Sequence, residues 1–268
     1  MKYQDSRNAS LSKELTSALL KEANKAYDTE IDDLLLAALA LTIQEWSQME
    51  QVVIGMEGHG REDLFPELNT TRTVGWFTSM YPILLEATAN LSERDVIRSV
   101  KERMRSIPGK GMGYGLLRYL HESAEVRESL SKGKWDIIFN YLGQMDTAVP
   151  SDEEDAAYDN ADEGTGREES DNLPFATKLE FVSLISDGQL SLSITYSTEQ
   201  YEASTIERIA EQYFVHLGRL IEHCQKAKDA GPAPSDFGLI GKISYKEMEN
   251  FLDQNTNEED DDDLIMTF

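Results

Sequence analysis

Apolar side chains recur at helical spacing at Leu11, Leu15, Ala18, Leu19 and Ala23, which predicts an amphipathic helix over residues 11–26. The next segment, Ile31 to Trp46, is apolar nearly all round and predicts a buried helix. Gln51-Val52-Val53-Ile54-Gly55 then reads as a buried strand over 51–56, and Tyr81–Leu85 as the start of another. Ser92-Glu93-Arg94-Asp95 is a capped start for a helix that runs to about Ile107, where Pro108 stops it. Gly109–Gly115 is a glycine-dense loop leading into Leu116–Leu120, and Asp136–Leu142 reads as a buried strand. Leu179–Ser186 and Gln189–Ser197 alternate apolar and polar residues on either side of Asp187-Gly188, the signature of a hairpin. Residues from Thr205 to about Lys226 place Ile206, Ile209, Tyr213, Leu217, Leu220 and Ile221 on one side of a helix. Strands alternating with helices, followed by an antiparallel hairpin, define an α/β class with a mixed β-sheet flanked by helices. There is no internal repeat.

Composition narrows this picture. The 268 residues, 40% of them hydrophobic, suffice for one large domain or two modest ones. No apolar run reaches the roughly 18 to 20 residues of a membrane span, and the N-terminus lacks a signal-peptide apolar region. The single cysteine, Cys224, excludes an internal disulfide and a cysteine metal cluster. These features fit a reducing cytoplasm. The net charge of -25 is concentrated in two places. Residues 151–172 carry ten acids against Arg167, a local charge of -9, and residues 258–263 add -6, which leaves -10 for the rest. Such a balance argues against nucleic acid, whose phosphates need a basic surface. Residues 146–173 read as a mobile acidic loop.

Four stretches carry candidate chemistry. Glu57-Gly58-His59-Gly60-Arg61-Glu62 follows a strand and offers an acid/base carboxylate and a cation, or else is a solvated surface turn. His59 has no second histidine at metal-ligand spacing and is not read as a ligand. Arg72-Thr73-Val74-Gly75-Trp76-Phe77-Thr78 ends in a strand, and its Trp76 and Phe77 belong to the core or to a substrate wall. The glycines at 109–115 lack the Gly-Lys-Ser/Thr ending of a phosphate loop and are read as a tight structural loop. Phe139-Asn140-Tyr141-Leu142-Gly143-Gln144 puts an amide and a phenol in a buried strand, where each is costly unless partnered. Strand alternation points Asn140 and Tyr141 to opposite faces, so only one of them faces a given cavity unless a bulge intervenes.

Together these stretches resemble the epimerization domains of non-ribosomal peptide synthetases, relatives of the condensation domains in the chloramphenicol-acetyltransferase-like superfamily. The resemblance rests on Glu57–Glu62, on Arg72–Thr78 with Tyr81-Pro82, on Gly111-Met112-Gly113-Tyr114-Gly115 and on Phe139–Gln144, in family order. Thr29–Leu36 and Pro234-Ser235-Asp236-Phe237 also fit, so the likeness spans about residues 10–240. The form Arg-Thr-Val-Gly-Trp-Phe-Thr resembles the epimerization branch. The family's His-His-x-x-x-Asp signature is absent, and the four histidines, His59, His121, His216 and His223, are scattered. The chain therefore looks like one lobe of a two-lobed fold, the C-terminal one, over residues 1–240. Either it is an excised fragment or its partner lobe lies on another polypeptide.

The resemblance implies the following chemistry. A carrier-bound L-aminoacyl or peptidyl thioester loses its α-proton and regains one on the other face. Glu57 is implied as one acid/base group, with Tyr141 relaying or donating a proton, and a histidine of the absent lobe stands opposite. Asn140, His59, Arg61 and Trp76 are implied to bind substrate or organise the site, and Gly58 and Gly60 to let a phosphopantetheine arm approach. That arm arrives on a peptidyl carrier protein, so no cofactor or metal is expected to be bound by the domain. The isolated lobe is expected to be inactive, and its uncovered surface invites self-association. Residues 241–268 form a C-terminal tail, with a short helix expected at 244–253, that either docks a downstream synthetase subunit or only solubilises the chain. The competing readings are a condensation-domain lobe that forms peptide bonds and a non-catalytic half-domain that grips a carrier protein.

Overall fold

The computed structural model describes residues 3–62, 67, 69–145, 170, 177–227, 231 and 233–252. Six strands form one mixed sheet: β1 (Gln4–Ser10), β2 (Gln51–Gly58), β3 (Ser79–Glu86), β4 (Ile137–Gln144), β5 (Leu179–Ser186) and β6 (Gln189–Ser197). Their order is β1-β6-β5-β4-β2-β3. β4 runs parallel to both of its neighbours, β2 and β5, and the other pairs are antiparallel. The architecture is thus α/β with a mixed sheet. The expected acidic loop at 146–173 lies, apart from Ser170, outside the described residues.

The hairpin forms as its turn chemistry dictates. Asp187 and Gly188 both have positive φ, 52° and 69°, the conformation that matches the twist of two joined strands. Alternate residues Leu179, Phe181 and Ile185 on β5, and Leu190, Leu192, Ile194 and Tyr196 on β6, are buried. They meet α2 (Ile31–Ser47) and α6 (Ala203–Lys226) in one continuous core. Leu34–Leu39 of α2 are fully buried, as the all-round apolar pattern requires. The first predicted helix divides into α1 (Lys13–Lys21) and a 3-10 turn at Ala23–Lys25. α3 (Glu93–Arg105) starts where Ser92 accepts a hydrogen bond from the Asp95 N–H.

Two elements escape the sequence pattern. β1 has Ala9 as its single apolar residue, and so no apolar alternation, yet pairs with β6 over seven residues as an edge strand. Its Arg7 binds Asp5 at 2.8 Å and Glu207 of α6 at 2.9 Å. Polar edge strands protect a sheet from pairing with other chains. α5 (Ala124–Ser131) is short and has no buried residue. The glycine-dense loop is shorter than expected, because Met112–Leu120 is helical (α4). Only Gly109, Lys110 and Gly111 take positive φ, inside the turn Pro108–Gly111.

Beyond α6 the chain returns to α3. Lys101, 2% exposed, donates to the Tyr27 carbonyl at 2.9 Å and pairs with Asp236 at 2.9 Å. Residues 245–252 are helical, and Met248 among them is buried. Glu249 pairs with Arg94 and, at 2.7 Å, with Arg98, whose guanidinium lies 4.5 Å from the Tyr245 ring centre. The start of the tail is therefore packed on its own lobe. The acidic and apolar end of the tail lies outside the described residues. No helix among the described residues is long and apolar enough to cross a membrane.

Candidate active site

β2 and β4 pair in parallel only at Ile54–Met56 with Ile137–Phe139. Both strands continue beyond that point, so Glu57 and Asn140 are the first residues past the last rung. Strands that part at their C-terminal ends open a crevice, the usual place for a ligand in a sheet with parallel strands. Here the crevice is a cavity of about 510 Å³. Glu57, Gly58 and His59 from β2 and its exit, Tyr81 from β3, and Asn140, Tyr141 and Leu142 from β4 line it. Glu30 and Asp32 at the head of α2, Arg105 of α3, and Glu62 and Lys110 add charged groups to the wall.

Glu57 is half-buried, and its Oε2 accepts a hydrogen bond from Asn140 Nδ2 at 2.7 Å. Burial, and secondarily the charge of Glu180, raises its pKa above the ordinary carboxylate value. Tyr141 is pushed up to about 12 by burial and then by Asp32. Asn140 and Tyr141 both line the cavity despite strand alternation. The sheet edge of β4 is free of β2 from Asn140 onward, and the register with β5 slips by one residue between Tyr141 and Gln144, with Gly143 at φ 85°. Asn140 and Tyr141 keep regular register with β5, so alternation holds for them, and both reach the cavity because it lies at the end of β4 that has parted from β2.

The Glu57–Glu62 loop divides into two jobs. His59 is exposed, and its Nδ1 accepts from the Arg61 N–H at 3.0 Å. Its Nε2 therefore carries the proton and donates to Glu62 at 3.0 Å. Glu62 also pairs with Lys110 at 3.5 Å and so ties the loop to the turn before α4. Arg61 does not line the cavity. Its guanidinium donates to the carbonyls of Thr70, Thr73 and Gly75 and stacks 4.1 Å from the Phe77 ring centre.

Three sequence expectations take a sharper form here. Trp76 is neither core nor cavity wall: it is 90% exposed, as Val74 is fully, because Arg61 holds the loop by its backbone and leaves both side chains outside. Gly60 is required by the fold itself. It has φ 65°, and a Cβ there would lie 1.6 Å from the Phe77 carbonyl oxygen, so its bareness admits the loop itself. In the glycine run, Gly111 is the constrained position. It has φ 83°, and a Cβ on it would lie 2.1 Å from the Tyr81 ring, while Gly113 and Gly115 face open space.

Asp32 has no place among the candidate site residues of the sequence. It lines the cavity, and its Oδ1 is buried without a hydrogen-bond partner among the described residues. Burial, and then Asp33 and Glu30, push it up to about 6. The available signal is two acids at the head of a helix that is apolar all round. Tyr81, pushed up to about 12 by burial and then by Asp32 and Glu62, is another part of the wall outside the candidate site residues of the sequence. Among the described residues, no group of three or more His, Cys, Asp or Glu side chains gathers to hold a metal.

The condensation domain family matches residues 1–237, and the chain belongs to that family. It is 41% identical to tyrocidine synthase 1 of Brevibacillus parabrevis over 90% of its length, covering 22% of that synthetase. It is 42% identical to surfactin synthase subunit 2 of Bacillus subtilis over 85% of its length, covering 6% of that subunit. Among solved structures it resembles the epimerization domain from the third module of tyrocidine synthetase B, at 37% identity and a TM-score of 0.75. That likeness covers 85% of this chain and 50% of that domain. The first condensation domain of the CDA synthetase shares the fold at 16% identity and a TM-score of 0.54. The chain thus spans about half of the solved domains and a small part of the synthetases.

Proposed function

We propose that this chain supplies one wall of an epimerization site in a non-ribosomal peptide synthetase, with Glu57 as an acid/base group on the α-carbon of a carrier-bound thioester. The observation that carries the reading is Glu57 itself. It is a half-buried carboxylate, oriented by Asn140, at the point where two parallel strands part. Its raised pKa makes it a better proton acceptor than an exposed glutamate, and a usable donor once protonated. Inversion requires one group to take the α-proton from one face and another to return a proton to the opposite face. Tyr141, which lines the same cavity as Glu57 and is held as a neutral phenol, donates a hydrogen bond toward the enolate-like oxygen or passes a proton. The second acid/base group comes from a lobe bearing the His-His motif. The phosphopantetheine enters on a peptidyl carrier protein.

Peptide-bond formation is the competing reading. The 37% identity to an epimerization domain, against 16% to a condensation domain, favours epimerization. So does the Arg72–Thr78 sequence. The test combines this chain with a His-His-bearing lobe and follows loss of deuterium from the α-carbon of a carrier-bound substrate. Exchange is expected from the pair and not from either part. Glu57→Gln is expected to lower it by about 10²–10⁴-fold. Exchange unaffected by Glu57→Gln, or peptide-bond formation in its place, would overturn the proposal.

A further inference from the structure

The cavity carries an unbalanced charge. Four carboxylates, Glu30, Asp32, Glu57 and Glu62, face it with two cations, Arg105 and Lys110. Both cations are engaged: Arg105 pairs with Asp33 at 3.1 Å and Lys110 with Glu62 at 3.5 Å. Glu57 has Asn140. Asp32 has a buried Oδ1 and no hydrogen-bond partner for it among the described residues. Asp32 lines the cavity yet forms no ion pair or hydrogen bond among the described residues, so the partner its carboxylate lacks is a cationic donor on a ligand.

We infer that Asp32 receives the free α-ammonium of an aminoacyl thioester, so that the cavity is built for an aminoacyl rather than an N-acylated, peptidyl substrate. The inference rests on the reading above, that the cavity holds a carrier-bound thioester. An ammonium brings three donors and a positive charge into a site with excess negative charge. A peptidyl nitrogen brings one neutral N–H and must also fit an acyl chain. The α-nitrogen is bonded to the carbon on which Glu57 acts, so one cavity lined by both carboxylates suits both contacts. Keeping the nitrogen charged also makes the neighbouring α-proton easier to remove.

Calorimetry on the full chain tests this with two non-hydrolysable pantetheine amides of the same amino acid, one with a free amine and one N-acetylated. The free amine is expected to bind about tenfold or more tightly. Asp32→Asn is expected to abolish that preference while binding of the acetylated amide persists, which also shows that the variant's cavity is intact. Equal affinities in the wild type, no binding of the free amine, or an equal loss for both amides in Asp32→Asn would each overturn the inference. The readout is independent of turnover. If exchange depends on Glu57 but the amides bind alike, only the inference about Asp32 fails. If the amides are discriminated but exchange ignores Glu57, the functional reading fails instead.

Discussion

The helical layer and the cavity treat buried charge in opposite ways. In the helical layer Lys101 is bound by Asp236 and the Tyr27 carbonyl, Asp33 by Arg105, and His216 by Glu45 at 2.8 Å. At the cavity Asp32 has a buried oxygen without a hydrogen-bond partner among the described residues. Glu57 there is held by an amide rather than by a cation. A charge that serves only the fold must be paired, because desolvation costs more than the fold recovers from it. A charge kept unpaired inside a cavity weakens the fold, and it makes sense where a ligand completes it.

Substitutions in the two regions should therefore diverge. The largest loss of stability is expected for Asp236→Ala, which strands the Lys101 ammonium in the interior. Chemical denaturation should show a loss of about 3–5 kcal/mol. A loss below about 1 kcal/mol would mean that the helical layer tolerates unpaired charge as the cavity does.

Asp32→Asn should act in the other direction. The folded protein raises the Asp32 pKa from 3.8 to about 6, so the folded state holds this proton more tightly than the unfolded chain. Ionisation of Asp32 then costs stability. The cost is absent below about pH 4, grows as pH rises to about 6, and is fully present above that. The variant should match the parent near pH 4 and exceed it by about 1–3 kcal/mol at pH 7.5. Melting curves across that range check the sign, and a variant less stable at pH 7.5 would refute it.

Ser92→Ala removes the N-cap of α3, the helix that carries both Lys101 and Arg105, and should cost about 1 kcal/mol in the same denaturation experiment. The smallest effect on stability belongs to Glu57→Gln, within about 0.5 kcal/mol, since an amide replaces a carboxylate that the fold does not need. A stability loss near that of Asp236→Ala would place Glu57 among the structural charges.

Local rules made most of the fold legible. The Asp187-Gly188 turn, the Ser92 cap, the apolar circumference of α2 and the stripe on α6 are each set by residues close in sequence. The elements that escaped are those whose stability comes from neighbours. β1 is a polar strand held by the edge of β6, and α5 buries nothing. At Met112–Leu120 a helix absorbed Gly113 and Gly115, although glycine lowers helix propensity. Tyr81 accounts for the adjoining turn, because no side chain at 111 would clear its ring.

The sequence by itself determined the α/β class, the order of the motifs and the family they belong to, because these depend on local periodicity and on residue identity. Only the tertiary structure decided which of the motif residues share a space. The parting of β2 from β4 brings Glu57, Asn140 and Tyr141 to one cavity. The hydrogen bonds of Arg61 turn Trp76 away from it. The packing of α2 against the sheet delivers Asp32, whose role no local pattern marks. Distances between residues far apart in the chain are set by register and packing, and burial then sets how each carboxylate binds its proton.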